Sequence, residues 1–318
     1  MASRGLHHIT AIVGCAARTV DFYTRVLGMR LVKRTVSFAD PGAHHLYVSD
    51  GTDRPGELLS FLVWTGAAPC RRGSGEAERI LFRATAASLD WWRDRVAGAG
   101  ATLGADAVLN GDLVLCFEDP DGVPVGIVGP SGLAIEPQSP AFGIPAGFVL
   151  RGPVGVVLAA RDADRLGALL CDVLGLRESG RPDGLIRLSA VTQPEGMILL
   201  REVGRTPRGR LGRGAINQVA FRAADGFEQT AMVQRLRAHH GIRAMPLRYD
   251  HYYQSVSFRD PGGLLLDIAT DGPGLTCDEP GDALGRSLCL PPQLEARRNE
   301  IEALLPPLSK AASPGRPA

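Results

Sequence analysis

The chain alternates between short apolar segments and longer amphipathic ones. In Leu6–Val13, the polar residues His8 and Thr10 alternate with apolar residues, which predicts a strand with one buried face. The segment Val20–Leu27 repeats apolar residues at helical spacing, and Gly28 follows it, where glycine commonly ends a helix. The next segments predict three strands, at Arg30–Phe38, His44–Val48 and Leu58–Trp64. One strand, one helix and about three strands therefore form a unit.

This unit recurs four times, and three copies contain a tight turn in which proline fixes φ and glycine accepts a positive φ. The turns are Asp40-Pro41-Gly42, Asp119-Pro120-Asp121-Gly122 and Asp260-Pro261-Gly262-Gly263. Helices of the later copies are expected at Leu89–Ala97, Asp164–Leu174 and Phe227–His239, ended by Gly98, Gly175 and Gly241. Strands of these copies are expected at Ile80–Ala84, Leu113–Phe117, Val123–Val128, Val154–Ala159, Met197–Arg201, Ile216–Arg222, Ser255–Phe258 and Leu264–Ala269. The repeat predicts an architecture built from four similar modules.

Two segments divide the repeats. Residues 131–149 include a stretch rich in Pro, Gly and Ser between the second and third units, which predicts a linker. We therefore expect one pair of units in residues 1–130 and a second pair in residues 150–275. The remaining segment, 276–318, has helical periodicity with alternating charges at Glu295–Leu305, which predicts a terminal helix.

Composition and charge exclude several classes of protein. Hydrophobic residues make up 45% and charged residues 22% of the 318 residues, which excludes a disordered chain. The net charge of +1 gives no reason to expect a nucleic-acid partner. No apolar run approaches the ~20 residues that span a bilayer, and the N-terminus lacks a signal-peptide pattern. The six cysteines form no CxxC pair, so we expect reduced thiols in a cytoplasmic protein with no membrane partner.

Several short motifs run along nearly the whole chain. They are Gly5-Leu6-His7-His8-Ile9-Thr10, Asp21-Phe22-Tyr23 with Leu27-Gly28, Asp40-Pro41-Gly42 with His45-Leu46-Tyr47, Phe258-Arg259-Asp260-Pro261-Gly262-Gly263, Ala269-Thr270-Asp271 and Leu290-Pro291-Pro292. With the four βαβββ units, they resemble the vicinal-oxygen-chelate superfamily of glyoxalases and extradiol dioxygenases. More narrowly, the chain resembles hydroquinone-type ring-cleaving dioxygenases. The resemblance implies an α+β fold in which four βαβββ modules form two cup-shaped barrels of curved sheet.

The resemblance also implies a metal site. Members of the family hold one divalent ion in a cup, using two histidines and a carboxylate. On that pattern this chain has His8 at the first position, Gln218 at the usual second histidine and Asp267 at the usual glutamate. Glutamine is neutral like histidine, so the net ligand charge of −1 is unchanged. Because its carbonyl oxygen is a harder donor than imidazole, we expect Fe(II) or Mn(II) as the cofactor.

Alternation along the strands tests whether these three side chains can converge. The apolar neighbours of His8, Gln218 and Asp267 take the faces that pack under helices, which turns the polar side chains into the cup. The matching positions of the second and third units are Arg79, Gly126 and Gly155. None of those can bind a cation, so one cup is expected to hold the site and the other to be structural. The alternative is a hydrogen-bonded polar cluster without a metal.

Neighbouring residues supply candidate catalytic groups. His7 is expected to orient substrate or a metal ligand, and Thr10, on the same face as His8, to hydrogen-bond a phenol. His251 and Tyr252 precede a strand of the cup, where a general acid or base could reach substrate. An ordinary aromatic strand is the alternative for that pair.

Other positions differ from the family pattern. The family commonly has Tyr near the position of Ser257 and Arg near that of Asp250, so ring cleavage of simple hydroquinones is expected to be slow or altered. His44 and His45 flank the start of a strand and are expected to be structural.

The leading functional hypothesis is a metal-dependent dioxygenase that acts on a small dihydroxylated aromatic and on O₂. A redox-silent isomerase, lyase or hydrolase is an alternative, with the ion acting as a Lewis acid on an enediolate-forming substrate. A third hypothesis is a non-catalytic protein that sequesters a small molecule in the cup. The sequence leaves the oligomeric state open, with a homodimer as one option.

Overall fold

A computed structural model describes residues 4–51, 58–109, 111–130, 142–191 and 196–308. Residues 131–141 of the expected linker and residues 309–318 of the expected tail lie outside the described residues. The domain limits at 130, 149 and 275 stay a prediction.

Each unit contributes one long first strand, one helix and a set of further strands. The first contains β1 (Leu6–Val13), α1 (Ala16–Asp21) continued by a π-helical turn (Phe22–Val26), β2 (Arg30–Val36), β3 (His44–Ser49) and β4 (Leu58–Val63). The second contains β5 (Glu76–Arg83), α2 (Leu89–Gly98), β6 (Thr102–Leu103), β7 (Ala107–Leu109), β8 (Asp112–Glu118) and β9 (Pro124–Gly129). The third contains β10 (Arg151–Ala160), α3 (Ala163–Leu174), β11 (Arg177–Gly180), β12 (Ile186–Ser189) and β13 (Met197–Glu202). The fourth contains β14 (Ile216–Ala223), α4 (Gly226–His240), β15 (Arg248–Asp250), β16 (Tyr253–Arg259) and β17 (Leu265–Pro273).

The units join in pairs through their first strands. β1 pairs antiparallel with β14, so units one and four form a first cup with strand order β2-β3-β4-β1-β14-β17-β16-β15. β5 pairs antiparallel with β10, so units two and three form a second cup around the order β8-β9-β5-β10-β13-β12-β11. The expected α+β fold with two cups of curved sheet is confirmed.

Apolar side chains separate the sheets from the helices. Val219 and Phe221 of β14 and Leu266 and Ile268 of β17 are buried in one continuous core. Leu170 of α3 belongs to the same core. The residues between them therefore face the concave side of the first cup, as the alternation predicts.

Two helix ends differ from the prediction. The first helix begins at Ala16 rather than Val20, and its first turn lacks the apolar periodicity on which the prediction rested. Helix α2 includes Gly98 rather than stopping before it, and the positive φ of 85° falls at Gly100. Gly241 ends α4 with a φ of 65°, where a residue with a Cβ would be strained.

The interior of the second cup is filled by apolar side chains together with the aliphatic part of Arg79, whose Cδ would lie 3.0 Å from a Cβ added at Gly126. Leu81, Val114, Val157 and Leu199 are buried there in one cluster. Gly126 leaves no room beside them, because an added Cβ would lie 3.0 Å from Leu81 Cδ2 and from Val114 Cγ1. This filled interior agrees with the expectation that the second cup is structural.

The C-terminal segment packs back on the first unit. It contains a 3₁₀ turn (Leu275–Cys277), a second 3₁₀ segment (Pro292–Arg297) and the expected helix, α5 (Arg298–Leu304). Ile301 lies in a small apolar cluster with Val36, and His44 Nε2 lies 2.8 Å from the carbonyl oxygen of Pro306. His44 is therefore structural, as expected. None of the described helices is both long enough and apolar enough to cross a membrane.

Candidate functional site

Three neighbouring strands at the centre of the first cup bring the predicted ligand positions together. His8 of β1 lies opposite Ala220 of β14, and Ala220 in turn lies beside Asp267 of β17. The two ionisable side chains therefore flank a small residue at the same level of the sheet. Gln218, two positions before Ala220, hydrogen-bonds through its amide nitrogen to Asp267 Oδ2.

A register shift in β1 turns two adjacent imidazoles toward the same site. The shift lies between Leu6 and His8 in the pairing of β1 with β14, and it breaks the simple alternation. Leu6 joins the main core, while the rings of His7 and His8 lie 5.2 and 4.9 Å from the ring of Tyr253. The two Nδ1 atoms are 2.8 Å apart and form a hydrogen bond, so His7 holds the orientation of His8.

Two polar atoms at this site are buried without a hydrogen-bond partner among the described residues. They are His8 Nε2 and Asp267 Oδ1, on side chains that are 1% and 0% exposed. When His8 Nδ1 donates to His7, His8 Nε2 carries a lone pair. Leaving such acceptors buried and unpaired costs free energy unless a cation or another donor lies between them.

The donor set fits a divalent cation. It offers an imidazole nitrogen from His8, a carboxylate oxygen from Asp267 and an amide from Gln218, which presents its oxygen after a half-turn of the amide group. A set of one nitrogen, one neutral oxygen and one charged oxygen suits Mn or Fe(II) better than softer metals.

Burial sets the protonation states at the site. It lowers the pKa of His8 well below its usual value and that of His7 to about 4, so both imidazoles are neutral at pH 7. Neutral imidazole is the form that binds a metal. Burial raises the pKa of Asp267 to about 6, an effect that Ser257, Arg248 and Gln218 partly offset. A cation at Asp267 Oδ1 would favour the charged carboxylate.

A hydrogen-bonded series of side chains lines the wall next to the imidazoles. Tyr47 Oη lies 3.2 Å from Tyr253 Oη and 3.2 Å from His45 Nδ1, and His45 Nε2 lies 3.1 Å from Ser60 Oγ. Thr10 Oγ1 is 2.8 Å from the same Ser60 hydroxyl, and Thr10 lies directly opposite Gln218 in the pairing of β1 with β14. Its expected hydrogen bond to a phenol stays a prediction.

His45 is the clearest residue that the sequence prediction missed. It was expected to be structural, yet it is buried in the cup, and its charge would lower the pKa of His8. Alternation within β3 could have predicted that His45 faces the cup, because Leu46 and Val48 belong to the core while His45 and Tyr47 lie on the other face.

Arg248 is a second missed residue. It precedes the cup strand β16, and its positive charge lowers the pKa of Asp267. Its guanidinium lies 3.4 Å from Asp250, and Ser257 lies directly opposite Asp267 in the strand pairing. The cup therefore contains an arginine, Arg248, and a tyrosine hydroxyl, that of Tyr253. They come from positions other than 250 and 257, where the family commonly has Arg and Tyr.

His251 and Tyr252 have different surroundings from those expected. His251 Nε2 faces Cys277 and Asp278, at 3.9 and 3.5 Å, outside the cluster around His8. The Tyr252 hydroxyl donates to Asp278 Oδ2 at 2.9 Å. These contacts do not support the predicted proton-transfer roles, which stay predictions.

The comparisons with known proteins agree with this geometry. The profile of the Glyoxalase/Bleomycin resistance protein/Dioxygenase superfamily matches residues 5–127. "Putative ring-cleaving dioxygenase MhqE" of Bacillus subtilis is 34% identical, over 97% of this chain and 100% of that protein. Chlorohydroquinone/hydroquinone 1,2-dioxygenase of Sphingobium indicum is 28% identical, over 93% of this chain and 94% of that one.

Solved structures show the same fold. The crystal structure of a "putative dioxygenase" from Bacillus subtilis has a TM-score of 0.88 at 31% identity and covers 97% of this chain and 98% of that one. Glyoxalase I from Zea mays, with a TM-score of 0.64 at 15% identity, covers 84% of this chain and 92% of its own and shares the fold alone. The family resemblance seen in the motifs is confirmed. The chain therefore belongs to the glyoxalase and dioxygenase superfamily, and within it to the ring-cleaving dioxygenase-like enzymes.

Proposed function

We propose that this enzyme cleaves the ring of a dihydroxylated aromatic, a hydroquinone or a catechol, with O₂ and a divalent ion held by His8, Gln218 and Asp267. The observation that carries the proposal is the pair of buried acceptors, His8 Nε2 and Asp267 Oδ1, that have no partner among the described residues and lie on the two strands that flank β14 in the first cup. The relatives named as ring-cleaving dioxygenases support the reaction class.

The dioxygenases of this superfamily are metal-dependent. We propose Fe(II) or Mn(II) as the ion, because the site offers one nitrogen and two oxygen donors with a net charge of −1. Such an ion supplies positive charge that stabilises a deprotonated diol and a route for electrons to O₂. The small side chain of Ala220 between the two ionisable ligands leaves space for substrate oxygens.

The wall of the cup orients the aromatic ring. The ring of Tyr253 contacts both imidazoles, and its hydroxyl is hydrogen-bonded to Tyr47. A substrate ring can therefore pack beside the imidazoles with a substrate hydroxyl directed at the proposed metal site. Burial lowers the pKa of His45 to about 3, so His45 remains neutral and the series from Tyr253 to His45 orients hydroxyl groups without storing a proton. Arg248 adds positive charge that favours a phenolate.

A cleft with the size of a small-molecule site reaches one of the three ligand positions, Gln218, while His8 and Asp267 do not line it. It has a volume of about 330 Å³, and Gln218 and Asn217 of β14 contribute to its lining, together with Arg208 and Arg259. We propose that a single-ring substrate of the expected class reaches the cup from this side, where the two arginines, partly offset by the carboxylate of Glu76, favour an ionised hydroxyl.

Metal content and oxygen consumption test the proposal together. The protein is loaded anaerobically with Fe(II) or Mn(II), desalted, analysed for bound metal and supplied with a panel of catechols and hydroquinones in an oxygen electrode. We expect about one ion per chain and O₂ uptake with at least one diol. His44→Gln, on the same strand as His45 but bonded to the C-terminal segment, should retain both properties. Failure to bind either metal after loading would contradict the proposal.

A further inference from the structure

A second group of metal-ligating side chains lies outside the cup centre, where two turns meet. His251 lies between β15 and β16, and Cys277 and Asp278 follow the end of β17. His251 Nε2 is 3.9 Å from Cys277 Sγ and 3.5 Å from Asp278 Oδ2, and all three ligand atoms lie within 4.8 Å of one another.

These distances match tetrahedral zinc. Zinc bonds of about 2.0 Å to nitrogen, 2.3 Å to sulfur and 2.1 Å to a carboxylate place nitrogen and sulfur about 3.5 Å apart, and nitrogen and oxygen about 3.4 Å apart. The separations from His251 Nε2 are therefore within about half an ångström of those around an ion. His251 is half-buried and Cys277 is exposed, so an ion can enter from solvent.

The arrangement differs from a catalytic Cys-His-Asp relay. In a relay the carboxylate holds one ring nitrogen while the other faces the nucleophile. Here the same atom, His251 Nε2, faces both the sulfur of Cys277 and the carboxylate of Asp278. A single nitrogen directed at two other ligand atoms is the geometry of convergence on one ion.

Neighbouring groups fix the carboxylate toward this point. Lys33 Nζ lies 2.6 Å from Asp278 Oδ1, and the Tyr252 hydroxyl donates to Asp278 Oδ2 at 2.9 Å. Hydrogen bonds of this kind commonly orient metal ligands. Lys33 Nζ also lies 2.6 Å from Glu279 and 3.8 Å from Cys289. Its ammonium group therefore already supplies a positive charge to the neighbouring group of Asp278, Glu279 and Cys289. Of these two neighbouring groups among the described residues, the one around His251 is therefore the candidate for an ion.

We propose that His251, Cys277 and Asp278 bind a thiophilic divalent cation, zinc, with a fourth position left for water. The thiol proton is released on binding, so affinity falls at low pH. The ion links the turn before β16 to the segment after β17, and β16 begins at Tyr253 of the cup wall. Occupancy should therefore raise the thermal stability of the protein without contributing a ligand to the cup.

Cobalt provides a probe that separates this site from the cup. A cysteine thiolate bound to Co²⁺ gives an intense sulfur-to-cobalt absorption band in the near ultraviolet, which nitrogen and oxygen ligands alone do not give. The full-length protein is stripped with chelator, reduced and titrated with Co²⁺, and then with Zn²⁺ as competitor. We expect the band in the wild-type protein and in His8→Ala, where the cup ligand is absent.

Variants assign the band to its ligands. Cys277→Ser should abolish the band and weaken zinc binding by more than about tenfold. Loss of a residue that only hydrogen-bonds to a metal ligand already weakens binding by at least about tenfold, and Cys277 is itself a proposed ligand. His251→Asn suits the positive φ of 33° at that position and should weaken binding similarly. Cys15→Ser, at the start of α1 where serine is a favoured cap, is the matched control and should keep the band. A band that is absent from the folded wild type, or one that persists in Cys277→Ser, would overturn the proposal.

Discussion

Replacing Asp267 with asparagine should stabilise the metal-free protein while it abolishes metal binding. The carboxylate is fully buried, and its Oδ1 has no hydrogen-bond partner among the described residues. A charge held in this way is costly in the absence of a cation. Asparagine has nearly the same shape, and its oxygen can still accept the hydrogen bond from Gln218.

The pKa of Asp267 gives the magnitude. Burial raises it from 3.8 to about 6, a difference of about two units, which corresponds to about 3 kcal/mol at pH 7.5. Between pH 4 and 6 the folded state binds more protons at this residue than the unfolded state does, so its cost diminishes as the pH falls. The advantage of Asp267→Asn should therefore be up to about 3 kcal/mol at pH 7.5 and about half of that at pH 5.

Urea unfolding of both proteins in chelator, at pH 5 and at pH 7.5, measures this difference. Comparing the two proteins at each pH cancels the titration of groups that they share. With Mn²⁺ at 1,000 times its Kd the order at pH 7.5 should reverse, because the bound ion then stabilises the wild type by about 4.1 kcal/mol. Asp260→Asn is a matched control: Asp260 Oδ1 accepts the backbone N–H of Leu264 at 2.6 Å, and the change should cost about 1 kcal/mol with no response to metal. If Asp267→Asn were less stable than wild type in chelator at pH 7.5, the reasoning would be refuted.

Three further changes test the site. In a Cys277→Ser background, which removes a ligand of the second proposed site, His8→Ala should abolish bound Mn or Fe(II), measured by elemental analysis after chelator treatment and reloading, because it removes the imidazole expected to bind the ion in the cup; a full ion in the double variant would contradict the assignment. Gln218→His should tighten Mn²⁺ binding in a competition titration, since it restores a stronger donor at unchanged charge; weaker binding would show that Gln218 is not a ligand. In chelator, the wild type should lose stability relative to His45→Gln as the pH falls from 6.5 to 4, because burial lowers the pKa of His45 to about 3 and the unfolded wild-type chain then binds more protons at this residue. A stability difference between the two proteins that stays constant across that range would contradict the buried, neutral state of His45.

Alternation of polar and apolar residues predicts the direction of Asp267 better than that of Gln218. Asp267 lies between the core residues Leu266 and Ile268, so local geometry fixes its direction. Gln218 has a core neighbour, Val219, on one side only, and it lies at a second register shift in the pairing of β1 with β14. The same rule was incomplete at β1, because the register shift between Leu6 and His8 depends on the partner strand β14. Pairing between strands that are distant in sequence leaves no local pattern.

The wall residues illustrate a different limit. His45 and Tyr47 alternate with core residues, so their position in the cup was available from the sequence. Arg248 lies in a three-residue strand that is too short to show periodicity, and its proximity to Asp267 arises only when β15 pairs with β16. The contact of His251 with Cys277 likewise depends on two turns that meet in three dimensions.

Labelling with ¹⁸O₂ distinguishes a ring-cleaving dioxygenase from a Lewis-acid enzyme. The Fe(II)- or Mn(II)-loaded enzyme is supplied with a hydroquinone or a catechol under ¹⁸O₂, and the product is analysed by mass spectrometry. We expect a ring-opened product that contains both atoms of one O₂, formed by the wild type and not by His8→Ala. Turnover of a diol by the metal-loaded enzyme under strictly anaerobic conditions, with no label incorporated under ¹⁸O₂, would contradict it and identify a Lewis-acid enzyme instead.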